Sequence, residues 1–179
     1  MSQQSEPSVE LADIYQQLGV REVVNAAGTK TRIGGSRIRE EALEAMNSAA
    51  EGFVELGELQ ASASELIGEV TGADAGYVTS GADAGLLLSA AAAIAGSDVS
   101  AMDQLPDTEG LADEIVMPRT HRTGYDHALR AAGATIVDVG TNDFHLGTGA
   151  TNVEPWEIEQ AIGEDTAAVG YVQKTYTQP

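Results

Sequence analysis

The chain has no cysteine, which removes disulfides, thiolate metal sites and cysteine nucleophiles from consideration. Basic residues are scarce as well. Nine Lys and Arg stand against 28 Asp and Glu, for a net charge of -19, and Lys30 and Lys174 are the only lysines. Such a field repels nucleic acid and anionic membranes, both of which need a cationic patch to displace counterions, so a nucleic-acid partner is not expected. Long apolar runs are missing too: the longest, Leu86 to Ala95 with Ser89 inside it, falls far short of the ~20 residues of a membrane span. The start, Met1 to Ser8, is polar and lacks the basic residues and apolar run of a signal peptide. A cytoplasmic protein without a membrane partner is expected. Neither a GxGxxG fingerprint nor a Walker-type lysine occurs, which weighs against a nucleotide-binding α/β domain.

What is present describes a folded protein. With 42% hydrophobic and 21% charged residues in 179, the chain has the composition of one globular core, or part of one. An acidic, lysine-poor surface rich in small residues suits concentrated salt, where screening removes self-repulsion. A halophilic setting is the expectation.

The pattern along the chain predicts a short helix over Val9 to Leu18, with Ser8 as its cap and Gly19 as its end. Next comes the loop VVNAAGTKTRIGG, then a long amphipathic helix over Arg39 to Leu56 and a second helix over Leu59 to Val70. Short strands then alternate with helices. Strands are expected at Gly76–Thr79, Glu114–Met117, Thr135–Val139 and Ala167–Val172, and helices at Asp83–Ala95, Tyr125–Ala132 and Pro155–Ile162. Gly96 to Asp113 reads as a long polar connection. Strands joined by helical crossovers imply an α/β fold with a mainly parallel sheet covered by helices on both faces. The expected division is 1–57, an arm, loop and long helix, and 58–179, the sheet-bearing part.

Three places can carry chemistry. At GYVTSGADAG a strand is expected to run through Thr79, Ser80 and Gly81 into a helix, whose first free amides would point at a ligand. The Ser80 hydroxyl and the main-chain N–H groups of Gly81 and Ala82 suit a phosphate, although many α/β proteins use Ser and Gly at such a turn for packing alone. At PRTHRTGYDH, His121 and Arg122 would lie at the carboxyl end of the next strand, where ligands of parallel sheets bind. There an imidazole can stack on a flat ring or exchange protons, and a guanidinium can clamp an anion. His127 falls within the following helix and His145 in a Gly-rich loop without a visible partner. The third place is the N-terminal loop with Asn25, Lys30, Thr31, Arg32 and Arg37, which can recognise an anion or simply balance surface charge. No histidine–carboxylate pair has metal-site spacing.

Taken in order, VVNAAGTKTRIGG, ELQASASELIGEVTGADAGYVTSGADAGLLLSAAAAIAG, LPDTEGLADEIVMPRTHRTGYDHALRAAGA and IGEDTAAVGYV resemble the selenocysteine synthase-like branch of the fold-type-I enzymes dependent on pyridoxal 5'-phosphate (PLP), and within it the D-glucosaminate-6-phosphate ammonia-lyase type. The resemblance implies part of the large domain of an aspartate aminotransferase-like PLP enzyme. By that resemblance Ser80, Gly81 and Ala82 hold the cofactor phosphate, His121 stacks on the pyridine ring, and Arg32 and Arg122 are substrate-binding. It implies a lyase or transferase acting on an amino acid or aminated sugar acid, in which a lysine joins the cofactor aldehyde and an aspartate pairs the pyridine nitrogen. In such enzymes those two residues come after the stretch matched here, so the expectation is an N-terminal fragment, inactive alone, that self-associates or joins a C-terminal polypeptide. The alternative is a non-catalytic phosphate-binding or interaction module derived from such an enzyme.

Overall fold

In the computed structural model the described residues are 11–140, 142–143, 149–150 and 153–173; Ser8, His145 and Lys174 lie outside them. The chain divides into two compact units, residues 1–59 and 60–179.

In the first unit, helix α1 (Leu11–Gln17) gives way to the loop that carries Arg32, and helix α2 (Glu40–Ala49) follows. The loop is organised by one side chain. The Asn25 amide donates to the carbonyls of Gly28 at 2.8 Å and Gly35 at 3.3 Å, and its oxygen accepts from the Ala27 N–H at 2.9 Å. A backbone bond from Gly35 to Lys30 closes the turn, with Arg32 in a single 3-10 turn, Thr31–Ile33, at its tip. The long helix expected over Arg39 to Leu56 is shorter: it stops at Ala49, with residues 52–55 outside any helix. Gly52 explains the break, because a glycine inside a helix costs about 1 kcal/mol relative to alanine, and the helix buries no residue that would offset it.

The second unit contains nearly all of helix α3 (Leu56–Thr71), and after it come α4 (Ala82–Ala95), α5 (Val99–Gln104), β1 (Glu114–Pro118), α6 (Asp126–Ala131), β2 (Thr135–Val139), β3 (Asn142–Asp143), β4 (Gly149–Ala150), α7 (Pro155–Ala161) and β5 (Thr166–Val169). The sheet is three-stranded and parallel in the order β2-β1-β5, and β3 and β4 form a separate antiparallel pair. The expected α/β class with a parallel sheet is therefore what the chain forms. Two local expectations fail. The polar connection contains α5, started by Asp98, whose carboxylate accepts from the amides of Ser100 and Ala101. The expected strand Gly76–Thr79 joins no sheet. Its backbone groups are taken by α3 instead: the Gln60 carboxamide donates to the Val78 carbonyl at 2.8 Å and accepts from the Val78 N–H at 3.2 Å, and Ser64 Oγ accepts from the Gly76 N–H at 3.0 Å. Gly76 is required for that approach, since a Cβ there would meet Ile67 Cγ2 at 2.4 Å.

The core lies on one side of the sheet. Ile115 and Met117 of β1 pack with Ala90 and Ile94 of α4 and with Leu129 and Ala132 around α6. Strand alternation sends Val116 to the other face, where it is fully buried. The two crossovers run in opposite directions, β1–α6–β2 to one side of β1 and β2–α7–β5 back past β1 to the other. Right-handed crossovers then place α6 and α7 on opposite faces, and α7 does lie against β1 and β2. The reversal makes the carboxyl end of β1 a topological switch point, the crevice where open α/β sheets hold ligands.

Candidate functional site

The switch point is lined by the turns that leave β1 and β5. Immediately after β1 a 3-10 turn, Arg119–His121, carries His121 into a buried position, 4% exposed. Its Nδ1 accepts a hydrogen bond from the main-chain N–H of Val172 at 3.3 Å. The ring meets Tyr171 edge to face, with centroids 4.5 Å apart and planes at 77°. The structure thus adds Tyr171 to the site. Sequence reasoning missed it because a tyrosine near the end of the expected strand Ala167–Val172, which in fact stops at Val169, carries no signal until the strand order is known. In the same turn Thr120 Oγ1 is buried without a hydrogen-bond partner, an unspent polar group in a place where such groups are nearly always paired.

Helix α4 follows the expected phosphate turn and packs in the core with β1 and α6. Its carboxyl-terminal half shares the core with Ala134, which precedes β2, and with Leu105 and Leu111, which precede β1. Gly81 is the N-cap, at φ 147 and ψ 174, a conformation open to glycine. It has no side chain to cap the helix, and no cap bond replaces one. Thr79 Oγ1 donates to the Gly81 carbonyl at 2.8 Å and accepts from the Gly81 N–H at 3.4 Å. Of the expected donors, the Gly81 amide is thus partly engaged internally, whereas the amides of the first turn from Ala82 onward are left without a side-chain cap. Ser80 is exposed. Asp83, in the same first turn, places a negative charge where an anion would sit.

Arg122 is committed within the protein. Its Nε donates to Asp126 and its Nη1 donates to Asp138 at 2.6 Å. Asp126 is buried and also accepts from the Thr123 N–H at 3.1 Å. The hydrogen bond to Asp126, then that to Asp138, raises the guanidinium pKa above its ordinary value against a smaller opposing effect of burial. The second cation at this edge, Arg119, reaches Asp138 at 4.0 Å and is half exposed, which leaves it the more available of the two for a soluble anion. Arg32 is exposed in the first unit and forms no salt bridge among the described residues. No group of three or more His, Cys, Asp or Glu among the described residues is placed to hold a metal, and no described helix is long and apolar enough to cross a membrane.

Comparison with known proteins bears out the resemblance read from the motifs. The chain is 40% identical over 165 residues to a D-glucosaminate-6-phosphate ammonia lyase of Salmonella typhimurium, covering 90% of this chain and 42% of that protein. It is 32% identical over 164 residues to a 5'-C-glycyluridine monooxygenase-decarboxylase of a Streptomyces species, covering 88% of this chain and 39% of that protein. A solved structure of D-glucosaminate-6-phosphate ammonia-lyase superposes with a TM-score of 0.82 at 38% identity, over 90% of this chain and 43% of that one. No family model matches. The chain spans about two fifths of the length of these relatives.

Proposed function

Because the chain is homologous to a D-glucosaminate-6-phosphate ammonia lyase over nine-tenths of its length, we propose that it forms the phosphate-cradling part of a PLP-dependent lyase or transferase. The observation that carries the reading is the uncapped start of α4, with Ser80 and Gly81 ahead of it, in the same unit that buries His121. A helix N-terminus without a side-chain cap offers main-chain donors and a favourable dipole to a phosphate. The chain's own residues fit the rest of the group as well. Thr120 has an unspent hydroxyl in the His121 turn, and His121 supplies a flat ring held at a fixed angle. When bound, PLP supplies an electron sink for carbanion chemistry. The work of this chain is to hold the phosphate through Ser80, Gly81 and Ala82, to cover the ring with His121, and to keep Arg122 neutralised beside it.

The relatives' names each describe an amino-bearing acid or a glycyl compound, which supports an amino acid or aminated sugar acid as the substrate class. Arg119 is the cation we propose for its anionic groups. The relatives are more than twice as long as the matched stretch, and we place the anchoring lysine and the aspartate for the pyridine nitrogen in their remaining length rather than at Lys30, which sits in the first-unit loop. The test is a titration of the chain in high salt with inorganic phosphate and with PLP, followed by absorbance and calorimetry. Saturable binding of both, weakened several-fold by Ser80→Ala, is expected. Binding of PLP that phosphate does not compete, or that borohydride fixes onto Lys30, would overturn the reading.

A further inference from the structure

The segment leaving β5 holds His121 in a single protonation geometry. Its Nδ1 accepts the Val172 main-chain N–H, and a ring nitrogen that accepts a hydrogen bond carries no proton, so the proton of the neutral imidazole sits on Nε2. A ring turned over would set a C–H against that N–H and forfeit the bond. Tyr171 restricts the ring from a second direction, in the edge-to-face arrangement that aromatic quadrupoles favour. Burial of His121 leaves little room for another rotamer.

From this geometry we infer that the Tyr171–Val172 segment is the positioning element of His121, fixing it as the Nε2–H tautomer so that it presents a ligand with one hydrogen-bond donor and no resting base. The inference rests on the reading that His121 lines the ligand site. It assigns the matching ligand atom as an acceptor, an anionic or carbonyl oxygen, rather than a hydroxyl from which His121 would remove a proton. Tyr171 acts through His121 and is a positioning residue.

The experiment is nitrogen-15 NMR of the histidine rings in the whole chain, with His121 assigned through His121→Gln. Wild type is expected to show a pyridine-type Nδ1 and a pyrrole-type Nε2. Val172→Ala and Tyr171→Phe, which keep the main-chain donor and the ring, should preserve that pattern. Val172→Pro removes the N–H and should move Nδ1 toward the averaged shift of an unrestrained histidine. An Nδ1–H or averaged tautomer in the unaltered chain overturns the inference even if the proline variant does not fold, as does a Val172→Pro spectrum identical to wild type. A fixed Nε2–H tautomer in a chain with no affinity for PLP would sink the cofactor reading and leave this inference standing, so the two fail separately.

Discussion

Replacing Gln60 with alanine should free the segment that delivers the chain to the phosphate turn. The carboxamide makes two bonds to Val78, at 2.8 Å and 3.2 Å, and both are solvent-accessible. Each is therefore credited near the low end of the usual ~0.5–1.5 kcal/mol net contribution. Together they come to about 1 kcal/mol, or a roughly 5-fold change in a local opening equilibrium. Amide hydrogen exchange reads that equilibrium directly. The Val78 N–H is expected to exchange faster by that factor in Gln60→Ala, while the Gly76 N–H, bonded to Ser64, changes less and serves as an internal reference. Gln60→Glu retains the acceptor but loses the donor and turns a carboxylate toward a carbonyl, so it should not restore protection. Phosphate affinity should fall with Val78 protection, because a turn that must be ordered on binding binds more weakly. Unchanged exchange at Val78 in both variants would refute the claim that a side chain substitutes there for a neighbouring strand.

Asp83→Asn removes the negative charge from the first turn of α4 and should tighten inorganic phosphate binding by about two- to fivefold, the scale of a charge at a helix end; calorimetry that finds equal affinities would place the anion elsewhere. Arg122→Ala leaves the buried Asp126 without its cation, keeping the Thr123 N–H among the described residues, and should cost about 2–4 kcal/mol in denaturant unfolding, with part of the loss recovered when Asp126→Asn is added. The raised pKa of Arg122 has a definite sign. Its stabilising contribution is fully present below the ordinary arginine value and is lost only as pH rises through the still higher folded value. Deprotonation of Arg122 should therefore produce no fall in stability on going from neutral to moderately alkaline solution, which unfolding curves across that range will check.

Much of the second unit was legible because its elements declare themselves locally. The β-branched runs at 114–117 and 135–139, and the proline that opens α7, fix strand and helix without knowledge of what packs on them. The glycine at position 81 and the position of His121 after a strand likewise pointed to the site. What was not legible depended on partners. The segment at 76–79 has strand composition, but nothing in its own residues says that Gln60, 18 positions earlier, will satisfy its backbone. The helix at α2 was read too long because apolar spacing continues past Ala49, while the chain buries none of that face. Arg122 looked available because the two carboxylates that hold it, at positions 126 and 138, converge only once β1 and β2 are side by side. Tyr171 was invisible for the same reason.

The bond from Val172 to His121 also orders events in time. The two residues are 51 apart in sequence, and closing a loop of that size costs entropy before any contact offsets it. Strands β1 and β2, joined by the short α6 connection, can meet early. The connection to β5 crosses back past β1, and the strand that brings Val172 to His121 is expected to dock after β1 and β2 have paired. Until it does, the imidazole has neither its donor nor its edge-on tyrosine, and the crevice has only one wall. The histidine ring signals are in that sense a clock for folding: their final positions should be reached with the slowest phase, after the β1–β2 pairing is complete.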